Sequence, residues 1–502
     1  MKASTRVFVN TIIQYIRTIL CVLIALYTSR IVLENLGVND YGIYTLVGGV
    51  VSMLSFISSS LSSTTQRYLS FNHGKGDKLL IIKIFNNSVV TQTIISILLC
   101  GLLLLFTGLI FNKFLNIDAD RLASAKIVYY FTIATLFFNL QSTPYLATLI
   151  ARENILYSTI IQILDALLKI PVAISLYYIS QDKLVWYSMC CSLLILFNYV
   201  CYHVYCKKHY EECQHFSFKS FDFSLFKEMF FFMRWMIYGT GCVIGRTQGI
   251  AIIINKFYST AINAAYGIGL QVSSQISFLS NALITAIRPQ IIKAEGAGNR
   301  SKTIRLSEMA CKFSFVLMGI VTIPAALHMN DLLSLWLVDV PEYAEMFCQY
   351  SLLALWIDQL TCPMAVANAA IGNVRIYSLW VNTIKIFTVP AVFIALHYGC
   401  LVNSIMIIYV TFETICMLSR LIFLKININL KIIQFIKHVV LPLIIPTIAT
   451  IIVCIQASYC LSGISVLLNF CISVITYGSL FLLLGLINDE RAILKSFLIK
   501  KR

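Results

Sequence analysis

At 502 residues the chain is 59% hydrophobic and 12% charged, with a mean hydropathy of +0.83, far from the roughly 25% charge of soluble globular domains. That balance excludes a soluble enzyme or binding module and predicts an integral, all-α membrane protein. The net charge of +16 then reads as a topology signal, and a nucleic-acid partner is not expected.

A spanning helix needs roughly 20 apolar residues, because every backbone group in hydrocarbon must be satisfied within the segment, and about fourteen such stretches fill the chain. The first, 10–33, holds Gln14, Arg17 and Arg30, and no small-residue cleavage site follows it, so it reads as a retained helix. Stretches at 41–62, 88–111 and 122–150 come next, the last containing Pro144; 155–179 carries Asp165, Lys169 and Pro171, and 184–206 completes a first lobe over 1–206. Cys206, just before the connector 207–226, and His209, Cys213 and His215 within it form one group. These are zinc-type ligands at irregular spacing, and the segment reads as a basic link without metal. The other cysteines lie mostly in apolar stretches (Cys21, Cys100, Cys190, Cys191, Cys242, Cys311, Cys416), where they act as small hydrophobes.

A second lobe spans 227–424. The stretch 227–254 contains FFFMRWMIYGTGCVIGRTQGIAIII, with Arg234 and Arg246 and no acid, and a glycine stripe at Gly241, Gly245 and Gly249 that allows close helix approach or a bend. GTGCVIG lacks the third glycine and the βαβ setting of a dinucleotide site, and no cofactor is expected. Stretches at 262–287 and 306–329 precede 346–370 with Asp358, 376–397 with Lys385 and 401–424 with Glu413. Two further stretches, 438–456 and 463–487, and a basic tail complete 425–502.

Orientation follows the Lys/Arg distribution. With a cytoplasmic N-terminus, most of the 38 basic residues fall on inner segments, and the outer ones keep Arg30, Lys113, Arg121, Lys126, Lys183 and Lys256. Arg17, Lys169, Arg234, Arg246 and Lys385 lie inside spans, and Arg420 groups with the inner basic residues. Both termini are expected on the cytoplasmic side.

The chain is also written twice. Pro144, Asn154 and Pro171 recur as Pro363, Asn373 and Pro390 at a constant offset, and DYGIYTLVGG is echoed by AYGIGLQVSS. Arg67 with Gly74 and Gly76 is matched by Arg288 with Gly296 and Gly298. Six stretches per copy put both lobes the same way up, which predicts an axis along the membrane normal and a substrate cleft between the lobes near the midplane. The first stretch of each copy carries two arginines, Arg17 with Arg30 and Arg234 with Arg246, spaced by roughly 18 to 20 Å along a helix.

An intramembrane charge costs at least ~2.5 kcal/mol and normally faces a partner or a watery cavity. For Arg17 and Arg30, snorkelling or pairing competes with cavity lining; Asp165 and Lys169 are spaced as a self-neutralising pair. The cations Arg17, Arg30, Lys169, Arg234, Arg246 and Lys385 outnumber Asp165, Asp358 and Glu413, so a cavity lined by them favours phosphate or pyrophosphate. The three acids are the candidates for proton or sodium coupling, with structural pairing the competing reading.

The run NTIIQYIRTILCVLIALYTSRIVLENLGVNDYGIYTLVGGVVSMLSFISSSLSSTTQRYLSF resembles the start of bacterial Wzx-type polysaccharide flippases, especially the Bacteroides-like lipopolysaccharide and capsule biosynthesis group of the multidrug/oligosaccharidyl-lipid/polysaccharide exporter superfamily. The similarity is closest over 10–80, and the fourteen-helix, two-lobe plan extends it loosely over the chain. It implies a plasma-membrane transporter, not an enzyme, that moves an undecaprenyl-pyrophosphate-linked oligosaccharide for O-antigen or capsule synthesis. Membrane lipid and polysaccharide polymerase machinery are the implied partners, and cations on the first and seventh helices the implied lining of the cavity. A cation-coupled exporter of the same superfamily is the alternative, and it predicts an acid-dominated cavity. A membrane polymerase or ligase would want a long outer loop with catalytic His, Arg or Glu, whereas the longest outer connector, about 330–345, offers only acids and apolar residues.

Overall fold

A computed structural model describes residues 3–52, 54–111, 119–180, 182–214, 221–258, 260–337, 340–372, 374–460 and 466–486. His215, Lys113, Asn373 and the basic tail lie outside the described residues. Everything described is helix or connector, with no strand, as backbone in hydrocarbon requires. In chain order the helices are α1 (Ala3–Ser52), α2 (Ser55–Lys75), α3 (Lys78–Leu105), α4 (Leu122–Ala151), α5 (Ile155–Ser175), α6 (Lys183–His209), α7 (Phe223–Phe257), α8 (Thr260–Gly296) and α9 (Arg300–Leu327). They continue as α10 (Ala344–Gln359), α11 (Met364–Ile371), α12 (Thr383–His397), α13 (Asn403–Ile428), α14 (Leu441–Cys460) and α15 (Val466–Leu480).

Among the described residues ten helices are long and apolar enough to span a bilayer, eleven when α10 and α11 are taken as one span bent by 47°. The remaining expected stretches also fall on helices. The stretch 41–62 falls on α1 and α2, the apolar run of the continuous helix α8 is broken by Ser, Asn and Gln, and α15 is short. The chain is a multi-pass membrane protein. Its outer surface fits that setting, with Ile16, Ile19, Leu23, Ile97, Leu98 and Ile252 exposed where lipid replaces water as solvent.

Helix ends follow local chemistry. Asp77 Oδ1 accepts from the Leu80 amide at 3.0 Å and Asn299 Oδ1 from Lys302 at 3.0 Å, capping α3 and α9. Gly76 and Gly298, equivalent in the two copies, both take left-handed backbone, φ 78° and 75°, a conformation that stops a helix at low cost only in glycine.

Phe8–Ile237 with Gly296–Gly298 form one compact unit, and Met1–Val7, Tyr238–Glu295 and Asn299–Arg502 form the other. The division falls inside α7. Within the first unit α4 packs on α2, α3 and α6 around Val128, Tyr129, Leu136, Leu140 and Leu184, and Tyr129 Oη donates to the Leu103 carbonyl at 2.9 Å. Within the second, α10 packs on α9 and α13 around Phe347, Leu352, Ile405 and Met406. Both units thus join third helix to fourth and fourth to sixth. The proline positions differ: α4, α5 and α12 run through Pro144, Pro171 and Pro390, while Pro363 sits at the break between α10 and α11. Of the repeated prolines, Pro363 marks a break bent by 47°, while α7 is continuous across its glycines.

The described part of the connector is docked to the first unit. Arg152 donates Nε to Glu212 Oε1 at 2.9 Å and Nη2 to Oε2 at 2.7 Å, a bidentate pair with Glu212 buried. Asn87 exchanges two bonds with the Asp222 backbone, 2.9 and 3.0 Å, and Asp222 Oδ1 caps α7 by accepting from Ser224 and Leu225. The Leu225 amide first, then the Ser224 amide and Lys83, hold the Asp222 carboxyl below its usual range, against desolvation.

Candidate functional site

The intramembrane charges of the second unit meet in one chain. α7 brings Arg246, α10 ends with Asp358, α12 carries Lys385 one turn after the π-helical turn Ser378–Asn382, and α13 carries Glu413 and Arg420 two turns apart. Arg246 Nη1 donates to Glu413 Oε2. Lys385 Nζ bridges Glu413 Oε1 at 2.6 Å and Asp358 Oδ1 at 3.3 Å. Arg420 Nη2 reaches Asp358 Oδ1 at 2.6 Å, and its Nη1 donates to Thr361 Oγ1 at 3.3 Å. The order is cation, acid, cation, acid, cation.

Arg246, Glu413 and Arg420 are 5%, 2% and 4% exposed, so these charges have left water for low dielectric, where each needs an opposite charge beside it. Two acids among three cations leave the chain one charge positive. Its end members are incompletely satisfied, since Arg246 Nε and Arg420 Nε are buried without a hydrogen-bond partner, although Arg246 lies over the Tyr409 ring at 4.3 Å.

Small residues make this geometry available. A methyl group built at Gly249 would meet Val389 at 3.0 Å, at Gly245 Ile386 at 3.0 Å, and at Gly239 Asn382 Nδ2 at 2.6 Å, whereas Gly241 has open space. Gly239, Gly245 and Gly249 therefore let α7 lie close against the Ser378–His397 segment, within guanidinium reach of α13. Next to them Tyr238 Oη and Thr383 Oγ1 share a hydrogen bond of 2.7 Å.

The first unit holds a smaller cluster. Lys169 Nζ and Asp165 Oδ2 form the expected pair at 2.8 Å, and Asn198 Nδ2 of α6 donates to the other carboxylate oxygen at 2.8 Å. Arg17 of α1 donates to Gln162 Oε1 of α5 and to Thr18 Oγ1 at 3.2 Å, and among the described residues it forms no ion pair with a carboxylate. It is a half-buried cation that, among the described residues, is answered by the neutral dipoles of Gln162 and Thr18. Here too cations exceed acids by one.

Arg30 and Arg234 join neither cluster. Both are exposed, and Arg234 stacks on Phe231 at 3.8 Å and Trp235 at 5.0 Å along its own helix. In the connector, Cys206 Sγ bonds the Tyr145 carbonyl at 3.7 Å and His209 stacks on Tyr205 at 4.2 Å. Among the described residues no group of His, Cys, Asp and Glu is arranged to hold a metal.

Arg420 is the participant that grouping by loop charge conceals, because it stands at the end of an apolar stretch and counts there as an interfacial residue. The signal that finds it is its spacing of seven from Glu413, which puts both on one helix face. Gln162 and Asn198 are neutral, so a census of charges passes over them.

No protein-family profile matches the chain, and no curated protein does. Solved structures do match in fold. A MATE transporter in its bent conformation aligns at TM-score 0.75 and 13% identity over 86% of this chain and 96% of that one. A Vibrio cholerae MATE transporter aligns at 0.73 and 14% over 85% and 98%. A MOP superfamily transporter from Pyrococcus furiosus, whose structure is described as showing a binding pocket of reverse polarity that suggests a different function, aligns at 0.69 and 14% over 85% and 96%. Across nearly their whole lengths these proteins and this chain share one architecture, and the chain has the fold of the MATE transporters.

Proposed function

We propose that the chain is a transporter of MATE-like fold that carries a lipid-linked oligosaccharide through its pyrophosphate, across a bacterial plasma membrane, for surface polysaccharide synthesis. The observation that carries the reading is the cation excess in each unit's intramembrane cluster, with Arg17 answered, among the described residues, by Gln162 and Thr18. A pyrophosphate satisfies such an excess, and the forked donors of arginine suit its oxygens. The fold neighbour described by a reverse-polarity pocket supports the idea that this architecture accommodates substrates of different charge. Transport would proceed by exchange between inward-open and outward-open states, with the prenyl chain remaining in lipid and no covalent bond broken. Both termini are placed on the cytoplasmic side by the same reading, with the polymerase machinery as the recipient of the product.

The alternative is a cation-coupled exporter of small molecules; one fold neighbour is described as a multidrug resistance MATE family transporter. It needs carboxylates free to take an ion, whereas Asp165, Asp358 and Glu413 each hold a basic side chain. The test is translocation of a pyrophosphate-linked oligosaccharide lipid in proteoliposomes. Arg17→Gln should slow it at least about tenfold, as expected when one charge-assisted contact to an anion is lost. Wild-type transport by Arg17→Gln would remove the anion-binding role, and cation-driven dye export without lipid translocation would establish the alternative.

A further inference from the structure

A second concentration of positive charge lies within the second unit, away from the charge chain. The first turns of α9 and the segment 429–439 enclose a cavity of about 670 Å³. From α9 it is lined at 300, 301, 304, 305, 308, 309 and 312, a helical spacing that puts these positions on one face. Arg300, Arg305, Lys312 and Lys431 contribute cations and His438 an imidazole, against the single carboxylate of Glu308. Lys312 is almost wholly buried. Arg300 Nε is buried with no hydrogen-bond partner, although Nη2 of the same side chain holds Glu295 at 2.5 Å.

Two further features specify the ligand. The cavity opens at the start of α9, a 28-residue helix whose N-terminal amides carry partial positive charge. The apolar spans Arg300–Leu327 and Ile432–Val453 both begin at its wall, so it lies at the depth of lipid headgroups. Its remaining lining includes Ile304, Met309, Leu430 and Val439, an apolar floor that a free inorganic anion would not use. The volume is within the usual range for small-molecule sites.

We propose that this cavity binds the phosphate headgroup of an anionic phospholipid from the adjoining leaflet, with the cations around the phosphate and the apolar residues against the glycerol and first methylenes. The site is separate from the intramembrane clusters and does not depend on what the transporter carries.

The experiment measures the thermal midpoint of the purified full-length protein in neutral detergent, titrated with phosphatidylglycerol, phosphatidylcholine or inorganic phosphate. Arg305 and Lys431 are exposed, so the double variant Arg305→Gln, Lys431→Gln should fold; Lys425→Gln, exposed and outside the cavity, controls for general surface charge. Phosphatidylglycerol should raise the midpoint of the wild type and of Lys425→Gln, and the apparent affinity should fall roughly thirtyfold in the double variant. An equal response to phosphatidylcholine, or an undiminished response of the double variant, overturns the site. Saturation by inorganic phosphate with no added effect of the lipid overturns the lipid as its occupant.

Discussion

At the scale of single residues, the second unit's charge chain makes an asymmetric prediction. Removing Arg246 leaves Lys385 and Arg420 against Glu413 and Asp358, a neutral set, whereas removing Glu413 leaves three cations around one acid. Breaking a buried pair so that charge is left uncompensated costs about 3–5 kcal/mol. Glu413→Ala should therefore lower the thermal midpoint in detergent far more than Arg246→Ala, and equal shifts would show that the chain does not act as one electrostatic unit. Sequence exposed most of these residues as charges in apolar stretches but not their pairing. A partner six helices on, as Glu413 of α13 is from Arg246 of α7, is set by tertiary packing, and only the Asp165–Lys169 pair, local to one helix, was readable from spacing.

At the scale of elements, the glycines of α7 separate by what they touch. Gly249→Val forces new methyl groups against Val389 and should cost about 1–3 kcal/mol by overpacking, while Gly241→Ala enters open space and should be neutral or gain about 0.5–1 kcal/mol from reduced backbone freedom. Midpoints of the two variants in the same detergent decide it, and a destabilised Gly241→Ala would mean that α7 packs differently. The glycine stripe was visible in the sequence, but the contacting set includes Gly239 in place of Gly241, because helix crossing and not periodicity selects the face. The α7 cap gives a pH prediction. The folded pKa of Asp222 is depressed, so the stability it adds is present above the ordinary aspartate range and is lost as pH falls through the lowered value. Asp222→Asn should reduce the acid-side loss of stability, and an unchanged acid limb would exclude a role for this cap.

At the scale of the whole molecule, the all-helical, multi-pass character was legible because it rests on a local signal, apolar length, although ten or eleven of the fourteen apolar stretches are long and apolar enough to span among the described residues. What could not be read was how equivalent positions differ. Gly37 turns the backbone at φ 75° inside α1, and residues around Pro363 leave helical pairing where those around Pro144 do not. The membrane topology gives a further check. A single cysteine at Arg67 on a cysteine-depleted background should resist an impermeant thiol reagent applied from outside, and labelling there would reverse the proposed orientation.

The break at Pro363 has a mechanical consequence. The Asp358 carbonyl accepts from the Cys362 amide at 2.8 Å and from Arg420 at 3.4 Å, while its carboxylate anchors Lys385 and Arg420. A joint in the backbone and the middle of the charge chain are thus fastened at one residue. Whatever pulls on those charges loads that joint, and the two copies of the duplicated plan differ there: a continuous helix runs through Pro144, whereas the span at Pro363 is bent by 47°.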